Sequence, residues 1–197
     1  MCPMSVAQPD PVAWTGLPPA PGRLLVAAPI LTEMTFERTV IYLLEHDLGG
    51  TVGLILNRPS HTPVGQVLPS WGEAVGEPGV VFAGGPVQVD GALCLGWSTR
   101  DSAGTHPVGG GVCTVDLDGD VGEASAATSS MRVFAGHSGW SGGQLAGELA
   151  QGAWFVVEGS AADAFTERPE QLWRRVLLRQ PPPLLFMANY PKDPALN

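Results

Sequence analysis

The stretch TVIYLLEHDLGGTVGLILNRP, residues 39–59, decides the fold. It opens on β-branched and aromatic residues (Val40, Ile41, Tyr42) and closes on an apolar run from Val52 to Leu56, with Asp47-Leu48-Gly49-Gly50 between. Two strand-like runs joined by a short glycine-rich turn read as a β-hairpin, because glycine reaches the backbone angles that tight hairpin turns demand. Asn57-Arg58-Pro59-Ser60 then stops the second run, since proline has no N–H to give to a ladder.

Working outward, Leu24 to Ala27 is a strand-like run upstream, and Val80–Ala83, Ala92–Trp97, Val112–Leu117 and Met131–Ala135 follow downstream. Pro63 to Leu68 reads as one helical turn, and the segment between Trp97 and Val112 as a loose loop carrying Gly109-Gly110-Gly111. Two helices close the chain. In the first, Leu145 and Leu149 share one face and Gln144, Glu148 and Gln151 the other, with mid-helix Gly147 suggesting a close backbone approach. In the second, Leu172, Trp173, Val176 and Leu177 form a stripe, Thr166 is the expected N-cap, Glu170–Arg174 an expected ion pair, and Pro181-Pro182-Pro183 the stop. Residues 1–21, rich in proline and alanine, read as a flexible leader, 22–190 as a single domain and 191–197 as a C-terminal tail. The apolar run Leu184 to Met187 is expected to be exposed. These elements predict one α+β domain with a mostly antiparallel sheet.

Composition agrees. The chain has 197 residues, 44% of them hydrophobic, and its 26 glycines and 19 prolines favour strands joined by many turns. The formal charge of −9, with one lysine (Lys192) and thinly spread arginines, argues against nucleic acid as a partner. Cys2, Cys94 and Cys113 form no metal or disulfide pattern, which points to a reducing cytoplasm. No apolar run approaches the roughly 20 residues that span a bilayer, and no signal peptide is visible. Neither a cofactor nor a metal is implied.

Gly139-Trp140-Ser141-Gly142-Gly143 satisfies G-x-S-x-G between a strand and a helix, where a nucleophile elbow would sit. Against a hydrolase, all four histidines (His46, His61, His106, His137) precede Ser141, whereas an elbow is normally followed by its acid and then its histidine. A tight turn with Ser141 capping the helix is the simpler reading. Asp116-Leu117-Asp118-Gly119-Asp120 resembles a calcium loop but has Val121 where glycine is required and Ala127 where a bidentate Glu is required, so an Asp-capped helix over Val121–Thr128 is expected. Glu45-His46 reads as a strand end rather than an acid/base pair. Gly84-Gly85 and Gly109–Gly111 lack the residues of a phosphate loop. Arg168, Arg174, Arg175 and Arg179 gather charge near one helix, which reads first as a solvated face and second as a nucleic-acid contact.

Taken together, these segments resemble the AlgH/YqgE-like family of small bacterial proteins. The resemblance rests on Gly22-Arg23-Leu24-Leu25, Phe36-Glu37-Arg38-Thr39-Val40, Tyr42-Leu43-Leu44-Glu45-His46, Gly53-Leu54-Ile55-Leu56-Asn57-Arg58-Pro59, Gly84-Gly85-Pro86-Val87 and Gly139 to Leu145, with Glu148 and Trp154 following. It implies an α+β domain whose sheet bifurcates and curls into a pseudo-barrel with flanking helices. It implies no catalytic residues, and carries a label of transcriptional regulator. Where this chain has Ser141, the family commonly has glycine, which counts further against a shared serine nucleophile. The expected recognition site gathers strand-end turns: Arg38, Asn57, Arg58, Gly84, Gly85, Trp140, Gln144 and Glu148, binding an unidentified protein or small molecule. The expectation is thus a cytoplasmic binding or regulatory protein. A Ser141 hydrolase and a nucleic-acid binder using Arg168–Arg179 are the alternatives.

Overall fold

A computed structural model describes residues 16–98, 102 and 104–191. The hairpin is present as β2 (Val40–His46) and β3 (Gly50–Ile55), preceded by β1 (Arg23–Ala27). There follow β4 (Pro59–Pro63), α1 (Val64–Val67), β5 (Val80–Ala83), β6 (Val87–Trp97), β7 (Thr105–Gly109) and β8 (Val112–Val115). The chain continues through α2 (Val121–Ala127), β9 (Met131–Ser141), α3 (Gln144–Ala150), β10 (Trp154–Glu158), α4 (Ala161–Ala164), α5 (Leu172–Leu178) and α6 (Leu184–Met187). The strands join in the order β10-β1-β2-β3-β9-β6-β8-β7, all antiparallel along that path.

The sheet forks at β9. Its second half pairs with β3 (Gly53↔Ser138, Thr51↔Trp140), while its first half pairs in parallel with β5 (Phe82↔Phe134, Ala83↔Ala135). β4 is attached to β5, so the branch is a separate two-strand spur. Where the branches part, Gly84 O accepts from Ile55 N–H (2.9 Å) and Ser138 Oγ (3.2 Å), and Gly84 N–H donates to Ala135 O (2.8 Å). A Cβ on Gly84 would lie 2.3 Å from Gly136 O, and one on Gly85 would lie 2.2 Å from His137 C. Gly136 itself sits at φ 65, in the region that favours glycine. These glycines are required because three backbones cross there.

The far ends of the sheet curl toward one another. The Gly109–Gly111 turn, all at positive φ, packs on Gly22 and Gly159, where a Cβ on Gly109 would lie 3.2 Å from Gly22 Cα. Tyr42 Oη donates to Gly109 O (2.7 Å) and Ala161 N–H to Gly110 O (3.0 Å). Burial holds the Tyr42 phenol well above its usual range, so it stays a donor. The result is the expected curled pseudo-barrel with helices on both faces.

Both faces of β1 and β2 are covered, which explains why their sequences are continuously apolar instead of alternating. Leu24, Val26, Val40 and Tyr42 point into a core shared with α4, α5 and α6, whereas Leu25, Ala27, Ile41 and Leu43 pack with Leu145 and Leu149 of α3. A third core, around Val64, Trp71, Cys94, Met131 and Val133, fills the spur side. Asp120 caps α2 by accepting from Glu123 N–H (2.9 Å), as read from the sequence.

Several expectations need correction. The "loose loop" contains β7; β3 ends at Ile55, ahead of the Asn57-Arg58-Pro59-Ser60 stop as expected, but a new strand, β4, begins at Pro59, and both β4 and β7 lie at sheet margins, where proline is tolerated. β9 runs six residues past Ala135, because its glycines serve the fork instead of ending the strand. Within the stretch read as a leader, Gly16 bridges Val156 and Leu17 N–H donates to Val156 O (3.0 Å). Residues 1–15 and 192–197 lie outside the described residues. A Cβ on Gly147 would meet nothing within 4 Å, so no backbone crowds it. Arg168, not Thr166, occupies the N-cap position of the 3-10 turn Pro169–Gln171 that leads into α5, with no side-chain cap, and Arg174 bonds Asn189 Oδ1 (3.1 Å) instead of Glu170. Leu184 is buried against the core, while Phe186 is 67% exposed. Among the described residues no helix is long and apolar enough to cross a membrane.

Two alanine substitutions should therefore move stability in opposite directions. Gly84→Ala drives a methyl into Gly136 O and should cost about 2–3 kcal/mol or prevent folding. Gly147→Ala fills open space in mid-helix and should add about 0.5–1 kcal/mol. Urea denaturation of the two variants checks both signs.

Candidate functional site

The residues expected to cluster divide among three places. Arg38, Asn57 and Arg58 come together, built by two turns that Asn57 ties to each other. Asn57 is buried; its Oδ1 accepts from Val40 N–H (3.0 Å) and its Nδ2 donates to Arg38 O (2.9 Å). This clamp holds Arg38 at φ 52, a left-handed conformation uncommon for a non-glycine residue. Arg58 donates to Asn57 O (3.3 Å) and to Glu37 O. Burial pushes its guanidinium pKa down, and the Glu37 carboxylate opposes that shift.

The opposite wall is α5. Its stripe of Leu172, Trp173, Val176 and Leu177 is buried, with Trp173 Nε1 donating to Ala27 O (2.8 Å), which leaves Arg174 and Arg175 exposed. The Arg38 guanidinium lies 4.6 Å from the centre of the Trp173 ring and donates to Tyr190 O (2.5 Å). Arg175 donates to Thr166 Oγ1 (2.8 Å). Between these walls is a cleft of about 490 Å³, bounded by Glu37, Arg38, Asn57 and Arg58 on one side and Glu170, Gln171, Trp173, Arg174 and Arg175 on the other. Among the described residues the ion pairs are Arg23–Glu158 and Arg179–Asp163, so none of the four cleft arginines is neutralised by a carboxylate within 4 Å.

Trp140, Gln144 and Glu148 form a separate network on the α3 face. Glu148 Oε2 accepts from both Trp140 Nε1 (2.9 Å) and Trp154 Nε1 (2.8 Å), and the two indoles meet edge to face at 5.9 Å. Glu148 Oε1 accepts from Gln144 Nε2 (3.0 Å), and Gln144 Oε1 accepts from Ser141 N–H (3.1 Å) and Ser141 Oγ (3.2 Å). The carboxylate is thus engaged in satisfying two buried indoles. Ser141 gives its proton to an amide oxygen, which is no base. His137, four residues back along β9, is about 13 Å away by strand rise. His46 is two strands over and bonded at Nδ1 to Thr51 Oγ1 (2.7 Å). Gly84 and Gly85 occupy the third place, the fork, where backbone crossing explains them.

The remaining sequence candidates are structural in the same way. Arg179 is held by Asp163 (2.5 and 2.8 Å), which removes it from the arginine cluster read as a nucleic-acid contact; Arg168 is exposed. Cys94 and Cys113 are free and buried, and burial raises both thiols, Cys94 to about 12. Arg132, absent from the sequence candidates, is buried over the Phe82 ring and donates to the carbonyls of Ala164, Glu77 and Thr166 (2.7, 2.9 and 2.9 Å). Desolvation lowers its pKa to about 10, and its donors are spent on holding β9 to the α4 region. Among the described residues no group of three or more His, Cys, Asp or Glu could hold a metal ion.

What the sequence missed is that α5 faces the Asn57 turn. Each half of the cleft carries its own local signature, a turn cluster and a basic helix, but no local spacing brings residues 37–58 against 170–175.

A family model described as AlgH-like matches residues 24–184. The chain is 46% identical to a UPF0301 protein of Streptomyces coelicolor, over 89% of this chain and 94% of that one. It is also 46% identical to a UPF0301 protein of Mycolicibacterium smegmatis, over 90% of each. The crystal structure of a protein from Corynebacterium diphtheriae superposes with a TM-score of 0.85 at 32% identity, covering 90% of this chain and 96% of that one. The solution structure of the AlgH protein from Pseudomonas aeruginosa gives 0.65 at 26% identity, over 89% and 92%.

Removing Glu148 should reveal its structural duty. Glu148→Ala leaves two indole N–H groups without their acceptor and should cost about 2–4 kcal/mol, while Ser141→Ala should cost under about 1 kcal/mol. Thermal denaturation measures the difference, and a fluorophosphonate probe should leave Ser141 unlabelled.

Proposed function

This chain belongs to the AlgH-like family, and we propose that it is a binding protein with a regulatory role, whose recognition site is the arginine cleft between the Asn57 turn and α5. The ligand carries an anionic group. The observation that supports this reading is the convergence of Arg38, Arg58, Arg174 and Arg175 on one cleft with, among the described residues, no carboxylate within 4 Å of any of them, in a chain of formal charge −9. Four like charges repel one another, and an acidic protein would more readily neutralise them internally unless an outside anion does so. Arg38 adds a second support. Its left-handed backbone costs of order 1 kcal/mol or more, and Asn57 sustains it, which is the pattern of a side chain held in place for a purpose.

A non-enzymatic role fits the way Ser141 and Glu148 are engaged. Two free, buried thiols suit a protein of the reducing cytoplasm. Calorimetric titration with a panel of phosphate, sulfate, citrate and dicarboxylates should find at least one anion that binds. Replacing both exposed arginines, Arg174→Gln and Arg175→Gln, should weaken that binding at least tenfold, about 1.4 kcal/mol, with folding intact. A panel in which no anion binds would overturn the reading.

A further inference from the structure

The size and boundaries of the cleft narrow the ligand class, an inference that rests on the reading of this cleft as an anion site. We infer that the cleft takes the terminal phosphate of a compact phosphate monoester and is closed to a nucleic-acid polymer. Three observations converge on this. First, the charge is concentrated. Four guanidiniums border about 490 Å³, and each spends one or two hydrogen bonds on the described residues. A guanidinium has more donors than that, and they are arranged in a planar fork that suits an oxyanion. A carboxylate brings one negative charge and two oxygens. A phosphate monoester brings close to two charges and three acceptor oxygens, which is the better match to several guanidiniums at once.

Second, the basic surface is short. Glu37 and Glu170 border the same cleft, and Arg179, the next cation along α5, is paired to Asp163. A polyanion running out of the cleft would meet these carboxylates and a chain of net charge −9, whereas a terminal phosphate is confined to the arginines. Third, the cleft is bordered by groups that can exchange partners. Arg38 and Arg174 are capped by the C-terminal segment, through Tyr190 O and Asn189 Oδ1. These acceptors are neutral, so a dianion would replace weaker hydrogen bonds with charge-assisted ones.

The test uses the full chain at constant ionic strength, titrated calorimetrically with glycerol phosphate, inorganic phosphate, citrate and a short single-stranded oligonucleotide. Glycerol phosphate should bind at least tenfold tighter than citrate. Arg175→Gln should weaken it at least fivefold, and Glu123→Gln, on distant α2, should leave it unchanged. Because half-buried Arg58 could compromise folding, Arg174→Gln serves as the second variant, with the same fivefold loss expected. Inorganic phosphate binding as tightly as the monoester supports phosphate as the recognised group and removes the contribution of the rest of the molecule. Citrate binding more tightly than either phosphate, with the same arginine dependence, overturns the phosphate assignment while the anion site stands. Preferred, steeply salt-dependent oligonucleotide binding also overturns it. No binding by any probe overturns the phosphate proposal and the anion-site reading together.

Discussion

Three backbones meet at the fork in β9, and the remainder of the molecule is arranged around that crossing. Gly84 takes hydrogen bonds from β3 and β9 at once and gives its own N–H to Ala135, so the end of β5 is held between strands that then diverge. A side chain at Gly84 or Gly85 would push the branches apart, and with them the start of the Asn57 turn, which follows β3 directly. The curl of the sheet depends on the same event. With β9 shared, its first half can carry β6, β8 and β7 round while its second half stays with β3, until the Gly109–Gly111 turn reaches Gly22 and Gly159.

The two sides of the sheet resolve their polar demands differently, and this separates scaffold from surface. On the α3 side, one carboxylate satisfies two buried indoles, and the chain of hydrogen bonds ends at Ser141. Deeper in the fold, Arg132 is met by three carbonyls. Both are closed networks. At the cleft, by contrast, the protein gathers four arginines beside Glu37 and Glu170, with none of them in an ion pair within 4 Å among the described residues. The Asn57 clamp is what joins the two regimes: it is itself fully bonded, yet it fixes the backbone of Arg38 at the edge of solvent.

The fold was legible where local chemistry and tertiary demand agree. The 39–59 hairpin, Val80–Ala83, the Asp120 cap and the α3 stripe all follow from periodicity and turn chemistry. Glycine misled where it served tertiary crossing: Gly136 and Gly139 looked like the end of a strand, and Gly109–Gly111 like a loose loop hiding β7. The family motifs correctly implied the forked sheet, which residue patterns alone could not, since nothing local shows that β9 pairs with β3 and β5 on one side. For the site, Arg38, Asn57 and Arg58 were legible as a turn cluster. Trp140, Gln144 and Glu148 carry the same outward signature of polar and aromatic residues at strand ends, but they are bonded to one another on the α3 face. Only the packing of α5 distinguishes the two groups.

The pairing of Gly16 and Leu17 along β10 has a consequence for the protein in a crowded solution. A curled, forked sheet that does not close fully keeps three margins, at β10, β7 and β4, and each is a ready template for a strand from another molecule. Here the β10 margin is occupied by the chain's own Gly16–Leu17 segment, β7 contains Pro107, and β4 begins and ends on Pro59 and Pro63, prolines having no N–H to offer. Polymerisation through strand addition is thereby obstructed at each margin, without the price of sealing the barrel.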